Sequence, residues 1–152
     1  MLWTEKNPDS NSRKLVTLFI KDRKEHLKNT IEPFLNKSNK HELNIVICDR
    51  YYYSTIAFQS AQGLDIKSII SKNKRFRKPG IAFILDVEPS VALKRIEHRQ
   101  KEKFEQLEFM KRIRANFLKL PKLLNENIKI IDASEPLKNV FENVRKEVDK
   151  II

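Results

Sequence analysis

Asp49-Arg50-Tyr51-Tyr52-Tyr53-Ser54-Thr55-Ile56-Ala57-Phe58-Gln59 follows directly on the apolar run Asn44-Ile45-Val46-Ile47-Cys48. The β-branched content of that run predicts a buried strand. Asp49 and Arg50 then stand just past its carboxyl end, the edge of an open α/β sheet at which ligands bind. From Tyr52 to about Ala61 the residues suit a helix, with Gly63 as its stop signal. On that helix Ser54, Thr55, Phe58 and Gln59 can dress a small, flat, phosphorylated ligand. Cys48 is the only cysteine. Inside an apolar strand it reads as a small core residue, and no intrachain disulfide is possible.

Upstream, residues 13–35 read as a helix. Val16, Ile20, Leu27, Ile31 and Leu35 recur at helical spacing with charges on the opposite side, and Pro33 is expected to kink or shorten the last turn. Downstream, Asp65 caps a helix running from Ile66 to about Lys74. Residues 81–86 form a second buried strand ending in an acid, and Pro89 opens a helix towards Arg99. A polar stretch at 100–103 suits a lid. Residues 106–124 are helical, 128–131 a short strand, and 136–152 a closing amphipathic helix. Strands separated by helices predict an α/β fold: a three-layer sandwich, with a parallel sheet flanked by helices, in a single domain over 1–152.

The chain of 152 residues is 40% hydrophobic and 34% charged, the composition of a soluble globular protein. No run approaches the roughly 18 apolar residues of a membrane span. The first residues lack the basic flank and apolar stretch of a signal peptide, so a cytoplasmic location is expected. A net charge of +11 suits an anionic partner without choosing among nucleotide, nucleic acid and membrane surface, and a lysine-rich, heat-adapted surface fits it equally. Residues 67–78 hold six basic side chains and no acid. Since the aromatics fall at core or pocket positions instead of among those charges, a nucleic-acid-binding module is the weaker reading.

Three groups of side chains stand out. Arg50 offers a fork-shaped, permanent charge of the kind that neutralises a transferring phosphoryl group; the bland alternative is an Asp49–Arg50 ion pair at a strand end. Phe19 and Arg23 lie four apart on one helix and share a face, so a ring can stack on a pyrimidine while the arginine donates to a base carbonyl. Arg95, Arg99, Lys101 and Lys103 precede Phe104-Glu105 in a run of charge that by itself reads as a solvated face. Tyr51, Tyr52 and Tyr53 read as packing at a helix start.

Asp49-Arg50-Tyr51 resembles the Asp-Arg-Tyr signature of thymidylate kinases. Leu18-Phe19-Ile20-Lys21-Asp22-Arg23 resembles the family's Leu-Phe-x-x-Asp-Arg helix, and the resemblance runs in order from about residue 4 to the end. It implies a nucleotide kinase of the P-loop fold that transfers a phosphoryl group from ATP to dTMP with Mg2+, typically as a homodimer. By that resemblance Arg50 lies between donor and acceptor phosphates, and Asp49 orients it and helps hold the hydrated Mg2+, with no direct metal ligand expected. Phe19 and Arg23 read thymine, Thr55 and Gln59 meet the pyrimidine edge beside Ser54, and Phe58 crowds the sugar's 2′ position where the family often has Tyr. Arg95, Arg99 and Glu105 belong to the lid, and Asp132-Ala133-Ser134 borders adenine.

The chain departs from the family at its front. Thr4-Glu5-Lys6-Asn7-Pro8 stands where the family has Thr-Arg-Glu-Pro, so Glu5 replaces the arginine that holds the acceptor phosphate. The only glycines, Gly63 and Gly80, cannot make the Gly-x-x-x-x-Gly-Lys-Ser/Thr loop that wraps phosphates. A strand, loop and helix of roughly 30 residues or a little more is therefore expected to come from upstream sequence or another chain. Alternatively the chain is a degenerate, non-catalytic nucleotide-binding paralogue. Alone, it is expected to be inactive.

Overall fold

Parallel pairing of two apolar runs builds the sheet of the computed structural model, which describes residues 11–37, 43–95 and 107–152. The chain divides into two compact units, one built from residues 11–77 and the other from residue 78 onward.

In the first unit, helix α1 (Ser12–His26) buries Val16 and passes into a π-helical turn, Leu27–Ile31, followed by α2 (Glu32–Leu35). Pro33 explains the widened turn. A proline lacks an N–H and its ring crowds the carbonyl four residues back, so the chain inserts an extra residue just before it; the Glu32 N–H accordingly reaches Leu27 O. The predicted kink thus takes the form of a π-turn within a continuous helical run.

Helix α3 (Tyr52–Ala61) buries Tyr52, Tyr53, Ile56 and Ala57. Its end is a Schellman turn: Gly63 N–H donates to Ser60 O at 3.0 Å and Leu64 N–H to Gln59 O at 3.1 Å, with Gly63 at φ +89°. Asp65 caps α4 (Ile66–Asn73) by accepting from Ser68 N–H at 2.7 Å. Helices α1, α3 and α4 pack together around Val16, Ile56 and Ile69.

The predicted strand at 44–48 does not form. Residues 43–48 have no regular structure; Ile45 and Ile47 are exposed, as is Cys48. β-branched residues favour a pleated surface, yet a strand exists only through a ladder with a neighbour. Among the described residues no strand pairs with this segment. Cys48 is therefore a surface thiol rather than a core residue, and Asp49 and Arg50 lead directly into a helix instead of ending a strand.

In the second unit, β1 (Ala82–Asp86) and β2 (Ile128–Asp132) run parallel in the register Ala82↔Ile128 to Asp86↔Asp132. Two strands, not the three expected, make the sheet among the described residues. Between them run α5 (Pro89–Arg95) and α6 (Leu107–Leu124), the long crossover that parallel strands require. Helix α7 (Leu137–Val148) packs on β2, and α6 on both strands. Ile84, Phe109, Ile113, Leu120, Ile128, Ile131 and Val140 are buried. The architecture is α/β with a parallel sheet. No described helix is long and apolar enough to cross a membrane.

Candidate functional site

Arg23 carries the strongest polar constellation of the first unit. Its Nη1 donates to Asn73 Oδ1 at 2.8 Å and its Nη2 to Thr55 Oγ1 at 3.0 Å. The Tyr51 and Phe76 rings lie 5.2 and 5.5 Å from the guanidinium carbon, within cation–π range. Burial pulls the pKa of Arg23 down, and Tyr51, Asp22 and Tyr52 oppose it. An arginine keeps its charge under any such shift, so this is a cation held largely out of water by neutral acceptors. Among the described residues it forms no ion pair.

Thr55 and Gln59, one turn apart on α3, are both buried at 4% exposure. Gln59 Nε2 donates to Gln62 Oε1 at 3.2 Å, while Gln59 Oε1 finds no hydrogen-bond partner. A buried polar atom without a partner costs free energy, on the order of 1–3 kcal/mol. Phe19, one turn before Arg23 on α1, is half-buried, as are Ser54 and Phe58. Arg50 is exposed and lies over Phe58, its guanidinium carbon 5.1 Å from the ring centre. Its backbone is left-handed at φ +67°, an arrangement costly for a residue with a Cβ. Asp49 is exposed, and among the described residues neither it nor Arg50 enters an ion pair.

In the second unit, Arg95 binds the loop that follows Asp132 at the carboxyl end of β2. Arg95 donates to Ala133 O at 2.7 Å and Ser134 O at 3.0 Å. Asp132 accepts from Ser134 Oγ at 2.5 Å and from its N–H at 2.8 Å, and these bonds hold the carboxyl below its ordinary pKa. At the end of β1, Arg114 of α6 makes a bidentate pair with Asp86, at 2.7 and 3.0 Å, and also bonds Glu88. The Asp86 bonds chiefly drive the Arg114 pKa up. Arg99, Glu105 and the Thr4-to-Pro8 segment lie outside the described residues.

The structure thus joins Arg23 to Thr55, Arg50 to Phe58, and Arg95 to the 132–134 loop. Sequence reasoning missed Asn73, Phe76, the place of Tyr51 beneath Arg23, and the Arg114–Asp86–Glu88 cluster. The acid ending β1 was the one visible signal for that cluster. Asn73 gave none, because an asparagine closing a helix is commonplace. Chemically, the first unit offers aromatic faces, a donor-rich cation and an unsatisfied amide oxygen, groups suited to a planar base. Among the described residues no three His, Cys, Asp or Glu side chains gather to hold a metal ion.

The sequence model of the thymidylate kinase family matches residues 2–144. A probable thymidylate kinase of Archaeoglobus fulgidus is 38% identical over 137 residues, which are 89% of this chain and 66% of the relative. One from Pyrobaculum calidifontis is 41% identical over 128 residues, 84% of this chain and 63% of the relative. A thymidylate kinase of Limosilactobacillus reuteri is 36% identical over 157 aligned positions, 97% of this chain and 71% of the relative. The chain spans just under two thirds of the length of the first two.

Proposed function

The chain belongs to the thymidylate kinase family, and on that premise we propose that it serves phosphoryl transfer from ATP to dTMP, binding the thymine end of dTMP between α1 and α3. In that reaction a phosphate oxygen of dTMP bonds to the γ-phosphorus of ATP as the bond to the β,γ-bridging oxygen breaks, giving dTDP and ADP. Arg23 donates to a base carbonyl while Phe19 stacks on the ring. Gln59 Oε1 accepts the ring N–H, with Thr55 and Ser54 beside it. Phe58 crowds the sugar and carries Arg50, whose charge serves the transferring phosphoryl group. Arg95, with Arg99 and Glu105, belongs to the ATP side together with Asp132.

The observation that carries this reading is the part-buried pairing of Arg23 with neutral acceptors, one of them Thr55, together with the amide oxygen of Gln59, one turn from Thr55, left without a partner. Asp49 alone does not make a metal site, and Mg2+ would arrive on the ATP phosphates. We further propose, from the family resemblance, a homodimeric and cytoplasmic protein whose residues 1–152 form one kinase-type domain.

Glu5, in place of the expected arginine, favours a second reading, nucleotide binding without turnover. Calorimetric titration with dTMP tests the shared part: the chain binds, and Arg23→Ala loses about 10- to 100-fold, the worth of a charged hydrogen bond. Absence of dTMP binding would overturn both readings. An assay of the 152-residue chain with ATP, Mg2+ and dTMP separates them. Measurable dTDP supports the first reading and refutes the second, whereas dTMP binding without dTDP supports the second.

A further inference from the structure

We infer that Asn73 is a positioning residue for base recognition, fixing the direction in which Arg23 presents its unused donors; this rests on the reading of Arg23 as the group that meets the base. Asn73 closes α4 and is 3% exposed. Its Nδ2 donates to Ile69 O, one turn earlier, at 2.8 Å. That bond settles which way the amide faces, because the other orientation would set a carbonyl against a carbonyl. Oδ1 is thereby turned to Arg23 Nη1.

A guanidinium is a rigid plane with five N–H donors. Asn73 and Thr55 engage one donor on each terminal nitrogen, and the Tyr51 and Phe76 rings bound the guanidinium through cation–π contacts. With two in-plane contacts and ring contacts fixed, the directions of the remaining three donors are fixed too. Phe76 is tied to the same device, since its N–H donates to the Asn73 backbone carbonyl at 3.0 Å.

The choice of partners separates this role from simple structural packing. An arginine buried for stability is ordinarily neutralised by a carboxylate, because desolvating a cation is expensive. Here both acceptors are neutral, so the charge remains available to an electron-rich group on a ligand. Asn73 supplies orientation without cancelling that charge.

The test compares dTMP with 2-deoxyribose 5-phosphate, which keeps the sugar and phosphate and lacks the base, on the full chain. Asn73→Ala should weaken dTMP about 10-fold, the worth of one charged hydrogen bond, and leave the base-less probe unchanged. Asn73→Asp keeps an acceptor but cancels the charge of Arg23 and sets a carboxylate oxygen against Ile69 O, so it should not restore dTMP affinity. In an Arg23→Ala background, Asn73→Ala should cost dTMP affinity nothing more. Circular dichroism checks folding, and Asn73→Leu, which preserves volume, replaces the alanine variant if that one fails to fold. Equal dTMP binding by wild type and Asn73→Ala, or parallel loss of both probes, overturns the assignment while leaving the thymidylate reading intact. Failure of the wild-type chain to bind dTMP overturns that reading and the Asn73 role together.

Discussion

Arg50 and Phe58 are stacked: the guanidinium carbon lies 5.1 Å from the ring centre, reached across two turns of α3 from a left-handed backbone at φ +67°. The residue read as the phosphoryl-transfer cation is thus held by an aromatic face, not by its neighbour Asp49. Arg50 also occupies a conformation that a glycine would adopt more readily.

Comparing two substitutions isolates that backbone cost. Arg50→Gly and Arg50→Ala both lose the ring contact, but only glycine relieves the positive φ. Arg50→Gly should be the more stable by about 1 kcal/mol in urea unfolding, after allowing for glycine's extra chain entropy. Equal stabilities would show that the conformation is not strained.

Tyr51 gives a pH dependence with a definite sign. Its phenol donates to Arg77 O at 3.1 Å, and burial pushes its pKa up from 10.0 to about 12. Between those values the unfolded chain holds fewer protons than the folded one, so stability falls as pH rises. The contribution is fully present below pH 10 and lost through about 12. Urea midpoints across this range should fall less steeply for Tyr51→Phe than for wild type.

Asp132 behaves oppositely. Its folded pKa lies below the ordinary 3.8 because Ser134 donates two hydrogen bonds. Its stabilising contribution is present above 3.8 and is lost as pH falls through the folded value. Carboxyl NMR titration should place the midpoint below 3.8 in wild type. Ser134→Ala should move it upward without fully restoring 3.8, since the backbone N–H remains.

The two glycines test the helix stop. An added Cβ meets nothing within 4 Å at either Gly63 or Gly80, but only Gly63 has a positive φ, +89°. Gly63→Ala should therefore cost about 1–2 kcal/mol through the backbone alone. Gly80→Ala should lie within about 1 kcal/mol of wild type or gain slightly. Similar losses at both positions would refute the backbone account.

Much of this molecule was legible because its signals are local. Asp65 caps its own helix within three residues, and Gly63 closes a turn whose bonds reach back no more than five. The apolar period of α1 and the proline that widens its last turns act over the same range. The strand at 44–48 was misread because its composition is local while its ladder is not. A buried strand needs a partner that its own residues do not encode.

The sequence alone determined the helices, the Asp65 cap and the Gly63 stop, the two apolar runs that pair, the family signature and the shared face of Phe19 and Arg23. Tertiary structure decided that Arg23 meets Thr55 and Asn73, respectively 32 and 50 positions away, and that Arg95 holds the 132–134 loop. It also left 44–48 without a strand partner among the described residues and set Arg50 on Phe58. The division follows from physics. Caps and turns are settled by hydrogen bonds within a few residues, whereas a part-buried guanidinium takes whichever acceptors the packing of distant helices brings to it.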